Sequence, residues 1–293
     1  MTALFVCLLF LALFALFLAA LGWWGSQLVF HPPKMLPNEI WPERYGLAWE
    51  GFDFRTSDGL RLRGWLIPCT AGPTDRTLLL CHGWGDNKGD LLKRVHFLAG
   101  AANLCLFDSR SHGESEGEMT TDGWLEALDF DAALLRLREL RPAWAGRLGV
   151  YGLSMGAVMA VRGMAAHPEI LLGAFEAPFR SFDRVVAQYT WNSFRLPFFP
   201  FAWTVLLAIR LRLGANPEPM SPSFHLTALG TRPKLFIAGD CDRLMPLPEV
   251  RALHDAAPGP KGLYVVRGAT HGAAWELGGE EYRRRLLAFF GSF

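Results

Sequence analysis

Charge is scarce in this sequence, and the first thirty residues contain no Asp, Glu, Lys or Arg. Of 293 residues only 19% are charged, and the net charge is +1. Nothing in that balance favours a nucleic-acid partner. Paired cysteines are also missing. Cys7, Cys69, Cys81, Cys105 and Cys241 form no CxxC, which disfavours a disulfide scaffold and a zinc knuckle. No metal-ligand set or cofactor fingerprint is evident, so none is expected to be needed. What the chain does have is apolar residues, at 51%, too many for a disordered chain. Its length suits one large α/β domain or two small ones.

The apolar excess is concentrated at the start. Ala3 to Leu21 is an unbroken apolar run, followed by Trp23 and Trp24. As a helix its 19 residues would reach about 29 Å, close to the ~30 Å hydrocarbon core of a bilayer. The two tryptophans stand where an interfacial aromatic belt would lie. A cleaved signal peptide fits less well. There is no basic n-region, the run exceeds ~15 residues, and the small-residue site near Ala19-Ala20 is poor. The expectation is an uncleaved single-pass anchor over residues 1–30, meeting the membrane through residues 3–24. Lys34 and Arg44 follow the run and no basic residue precedes it. That leans toward a cytoplasmic domain, on few charges. Residues 31–50 contain Pro32, Pro33, Pro37 and Pro42 and read as a stiff, non-helical spacer.

From residue 51 onward the pattern is that of an α/β domain. Ser57-Asp58-Gly59 between two alternating runs predicts an antiparallel hairpin. Apolar runs then recur at Thr77–Cys81, Asn103–Phe107, Leu148–Gly152, Leu171–Phe175, Lys234–Ala238 and Gly262–Val266, as parallel strands covered on both faces would. Helical spacing over Asp122–Leu140 and elsewhere between the runs implies right-handed βαβ units. Residues 180–229 interrupt the alternation with no clear strand. Seven aromatics fall between Gln188 and Leu213, which predicts an inserted helical cap. Its apolar centre, Phe198 to Ile209, is broken by Pro200 and too short for a second span.

Gly152-Leu153-Ser154-Met155-Gly156 lies between a predicted strand and a predicted helix, the setting a nucleophile elbow requires. Flanking glycines permit the sharp turn. The helix start supplies unpaired N–H groups for a developing oxyanion. A serine hydroxyl needs a base. His271 follows the last strand, at the sheet edge. The acid that orients it could be Asp240 or Asp242, both at the end of the Lys234 run. Leu78-Leu-Leu-Cys-His82-Gly83-Trp84-Gly85 should supply the second half of an oxyanion hole. The backbone N–H groups of Trp84 and Met155 are the candidate donors. His82 and His112 read as scaffold rather than as bases.

Taken together, HGWGDN at 82–87, FDSRSHGESEG at 107–117, GLSMG at 152–156, EAPFRSF at 176–182, GDCDRLMP at 239–246 and ATHG at 269–272 resemble the α/β-hydrolase superfamily. The similarity extends over nearly all of residues 51–293. More narrowly the chain is similar to membrane-anchored serine hydrolases with prolyl-oligopeptidase-like or serine-aminopeptidase-like domains. The resemblance implies an α/β-hydrolase fold with a mainly parallel central sheet flanked by helices. It also assigns the acid to Asp242 of Asp242-Arg-Leu-Met-Pro246, completing a Ser154, Asp242, His271 triad. Ser109 and Ser111 depart from the commoner pattern, in which glycine precedes the histidine, and that puts the shape of the 108–116 loop in question.

The expected activity is hydrolysis of an ester or thioester through an acyl-enzyme, on a small-molecule or lipid-like acyl substrate. An aminopeptidase or oligopeptidase is the second expectation, if Glu114, Glu116, Glu118 or Glu176 lines the cleft. A non-catalytic tethered scaffold is the third. Leaving group and oligomeric state are not legible.

Overall fold

A computed structural model describes residues 2–33 and 39–292. Lys34 and Pro37 of the spacer lie outside the described residues.

Helix α1 (Thr2–Phe30) opens the chain and is long and apolar enough to cross a membrane. Its side chains from Leu4 to Phe17 are largely exposed. The spacer is not wholly non-helical. Pro42–Tyr45 form a 3-10 turn, and Trp41 packs on Trp49 and Trp65, so this stretch lies on the domain surface.

An eight-stranded sheet follows, in the order β1-β2-β4-β3-β5-β6-β7-β8. The hairpin of β1 (Glu50–Arg55) and β2 (Arg61–Ile67) turns at Gly59, whose φ of 96° needs a residue without Cβ. β2 pairs antiparallel with both β1 and β4, and every other pairing in the sheet is parallel. The remaining strands are β3 (Arg76–Cys81), β4 (Asn103–Phe107), β5 (Arg147–Leu153), β6 (Ile170–Glu176), β7 (Lys234–Gly239) and β8 (Lys261–Val266). Those in the middle are buried on both sides, which is why they are continuously apolar. Helices α2 (Lys88–Val95) and α8 (Ala274–Phe290) pack together on one face of the sheet. Helices α3 (Glu126–Leu140) and α4 (Met155–Ala166) cover the other, and α7 (Leu247–Ala256) lies against β7 and β8.

One helix starts later than its periodicity predicts. The helical spacing runs back to Asp122, but α3 begins at Glu126. Asp122 and Gly123 take positive φ of 54° and 107°. Buried Glu126 turns back to accept hydrogen bonds from Thr121 N–H, Gly123 N–H and the Thr120 and Thr121 hydroxyls. Those bonds hold the segment as a loop. The Asp-Gly pair is a turn signal that competes with the periodicity.

Between β6 and β7 the chain forms a cap. Its two helices, α5 (Phe182–Phe194) and α6 (Trp203–Leu213), are joined through the kinked turn Phe198–Ala202, with a bend of 113° between the two helical pieces. Helix α1 packs on α6 at close range. A Cβ on Gly22 would come within 2.7 Å of the Thr204 carbonyl oxygen. Arg212 lies over the rings of Trp23 and Phe30 and donates to the Ser26 hydroxyl at 2.8 Å. The last turns of α1 therefore pack against the cap.

Candidate active site

The loops after β5, β7 and β8 converge at the carboxyl edge of the sheet, where parallel α/β proteins place their ligands. Ser154 sits at the step from β5 into α4 with φ 55° and ψ −117°, a strained conformation for a non-glycine residue. Its N–H donates to the Glu176 carbonyl at 2.8 Å. Two glycines allow the turn. A Cβ on Gly152 would lie 2.0 Å from the Gly156 oxygen, and one on Gly156 would lie 2.1 Å from the Cys81 oxygen.

The Ser154 Oγ is 3.0 Å from His271 Nε2, and His271 Nδ1 is 2.8 Å from Asp242 Oδ2. The other Asp242 oxygen accepts the N–H groups of Leu244 and Met245, both at 2.8 Å, which fixes the carboxylate. Asp240 is turned elsewhere and accepts the Gly268 N–H at 2.6 Å. The His271 loop is tied to the β7 loop by Cys241 N–H to the Ala269 oxygen, and to α2 by Arg94 donating to the Gly272 oxygen.

The Gly83–Gly85 loop faces this row. Among the described residues, no acceptor is paired with the backbone N–H of Trp84 or of Met155. His82 and His112 brace the loop from behind. His82 contacts the Gly83 oxygen through Nδ1 and accepts the Ser109 N–H on Nε2. Burial, helped by neighbouring His112, pushes its pKa down to about 3, so it is neutral. His112 Nε2 accepts the Gly85 N–H at 3.1 Å. The 108–116 loop keeps its compact form without the glycine, because Ser111 itself adopts φ 63°.

Ser154 and His271 open onto a cavity of about 170 Å³ walled by Trp84, Val185, Val186, Tyr189, Leu244 and Met245. Two parts of this wall were not foreseen from sequence. Leu28 and Val29 come from α1, and the indole of Trp84 donates to the Val29 carbonyl at 3.0 Å. Asp122 is the second. Its half-buried carboxyl lines the cavity, and burial together with the nearby Glu126 charge pushes its pKa up to about 7, against the opposing pull of His271. None of the four glutamates considered from sequence lines the cavity. Glu114 pairs with Lys88, Glu116 with Arg61, and Glu176 accepts the hydroxyls of Tyr151 and Tyr282. Glu118 is exposed.

A sequence profile described as the alpha/beta hydrolase family matches residues 78–285. The chain belongs to that family. Among curated relatives of this hydrolase is the uncharacterized protein YqkD of Bacillus subtilis, 29% identical over 219 residues, covering 74% of this chain and 71% of YqkD. Among solved structures it is similar to the Pyrococcus furiosus esterase Pf2001. That match has a TM-score of 0.74 at 25% identity, with 89% of this chain and 97% of the esterase covered. It also shares its fold with Pyrococcus horikoshii acylaminoacyl peptidase, at a TM-score of 0.62 and 16% identity, covering 84% of this chain and 41% of the peptidase.

Proposed function

We propose that this alpha/beta hydrolase is a serine hydrolase that cleaves a carboxylic ester or thioester through an acyl-enzyme, attached to a membrane by α1. The observation that carries the reading is the unbroken hydrogen-bonded row from Ser154 Oγ through His271 to Asp242, at the floor of a mainly apolar cavity.

In this reading Ser154 Oγ attacks the substrate carbonyl while His271 Nε2 takes its proton. Asp242 holds the imidazole through Nδ1 and stabilises its cationic form. The N–H groups of Trp84 and Met155 receive the oxyanion, each contributing on the order of a hundredfold in rate. His271 returns the proton to the leaving group, then activates the water that releases the acid. The esterase likeness of Pf2001 supports the same class.

The aminopeptidase alternative needs an anion to hold a substrate amine. Asp122 is the acid that lines the cavity, and at about 7 it is only half ionised near neutrality. The apolar walls favour an acyl group over an ammonium.

A fluorophosphonate probe should label the folded protein once, at Ser154, and label Ser154→Ala not at all. Retained ester turnover in Ser154→Ala would refute the assignment. Brisk turnover of peptides with a free amine, set against idle p-nitrophenyl esters, would move the activity to the peptidase class.

A further inference from the structure

The cavity at Ser154 does not end at the triad. A second, narrower cavity abuts it, with Leu28, Val29, Val186 and Tyr189 lining both. From there it runs between α1 and α5, bounded by Leu21, Trp24 and Gly25 on one side and by Thr190, Phe194 and Leu196 on the other. No charged side chain lines it among the described residues. The Thr190 hydroxyl is already engaged with the Val186 carbonyl at 2.7 Å. Trp24 and Phe194, both exposed, meet edge to face with centroids 5.4 Å apart on its open side. Beyond them α1 continues as bare apolar helix from Leu4 to Phe17.

We infer that the N-terminal helix is one wall of an acyl-binding channel, and that a linear acyl chain reaches Ser154 sideways from the bilayer between α1 and α5. The inference rests on the serine-hydrolase reading above and adds the substrate class and its route. Three observations converge on this occupant. The channel is narrow, which suits an unbranched chain. It has no charge or unsatisfied polar group to recognise a peptide or a sugar. One end is the reacting serine, and the other opens beside the helix suited to lie in lipid. A soluble acyl ester would offer the same chain, so the route needs its own test.

The dimensions set a chain length. Leu28 and Leu21 are seven residues apart on α1, or about 10 Å along the axis. That matches roughly seven bonds of a linear chain at about 1.5 Å each. About 30 Å³ of the narrower cavity stands open, so in this proposal the walls part to admit the chain. Turnover of p-nitrophenyl esters, as kcat/KM, should climb on the order of a hundredfold from butanoyl to decanoyl and then level off.

The decisive experiment uses the full chain in phosphatidylcholine nanodiscs and a decyl fluorophosphonate carrying a terminal diazirine. After Ser154 is phosphonylated, with fluoride leaving, illumination should cross-link the chain to peptides containing Leu21–Val29 or Tyr189–Leu196. Cross-links confined to the separate cavity between the cap and α7, at Arg180, Ser181 or Glu249, would overturn the channel. Phosphonylation of a kind not centred on Ser154 would overturn the serine-hydrolase reading and the channel with it. The route is tested with a hexadecyl fluorophosphonate loaded either in the enzyme's own nanodiscs or in separate ones. At least tenfold faster labelling from the same disc is expected, and equal rates would overturn lateral access. As an independent check, Thr190→Trp should lower the decanoyl-to-butanoyl ratio by tenfold or more; an unmoved ratio counts against the channel.

Discussion

Asp122→Asn should stabilise the protein, and more so at pH 8 than at pH 5. The carboxyl faces an apolar cavity with a native pKa of about 7, and the cause is burial first and the charge of Glu126 second. In the unfolded chain it would ionise near 3.9. Over the interval between these values the native state holds a proton that the unfolded state has lost. Stability therefore falls as pH rises from about 4 to 7, and the full penalty remains above 7. A shift of about three units corresponds to roughly 4 kcal/mol. The cavity opens to solvent, and screening there reduces the usable figure to about 1–2 kcal/mol. Asparagine is a suitable probe because it tolerates the left-handed φ of 54°. Asp86 and Asp129 are also raised, but they titrate in both proteins and cancel in the difference. Thermal melts at the two pH values should show Asp122→Asn ahead by roughly 2–5 °C at pH 8 and by clearly less at pH 5. A gain equal at both, or a loss at pH 8, would refute the account of this carboxyl.

Asp242→Asn should lower kcat for a p-nitrophenyl ester by about 10³–10⁴-fold, since it disturbs the tautomer and orientation of His271. Asp240→Asn, which can still accept the Gly268 N–H, should stay within about threefold of wild type; the reverse ranking would exchange the two roles. Ser111→Gly should raise the melting temperature. It relieves a left-handed serine worth about 1–2 kcal/mol, less about 0.5–1 kcal/mol for glycine's added freedom when unfolded, and removes a buried hydroxyl without a partner. Gly156→Ala should abolish soluble expression, because its Cβ would press on the Cys81 and His82 carbonyl oxygens at 2.1 and 2.5 Å; a folded, active Gly156→Ala would contradict the elbow packing.

Much of this protein was determined by local chemistry, and local chemistry is what a sequence displays. Strands covered on both faces must be continuously apolar, so β3 to β7 announced themselves. The elbow at Ser154 demands glycines at 152 and 156 because of backbone contacts within a few residues or across one strand pair. The apolar run before Gly22 needs no partner to be recognised as long enough for a membrane. Tertiary structure alone decided the rest, wherever the partner lies far along the chain. Asp240 and Asp242 are equivalent as residue types, so residue chemistry left both open and the family resemblance alone pointed to Asp242. The path of the loop 29 residues later is what brings Asp242 to His271 and Asp240 to Gly268. Asp122 reads as a helical position until Glu126 is seen binding the loop back on itself. The role of α1 is the clearest case. Hydropathy describes Leu28 and Val29 as the tail of an apolar helix, since hydropathy carries no direction. Their place beside Ser154 follows from close packing of Gly22 and Gly25 on α6 and from the Trp84 indole reaching the Val29 carbonyl, contacts that span from 55 to more than 180 positions of chain.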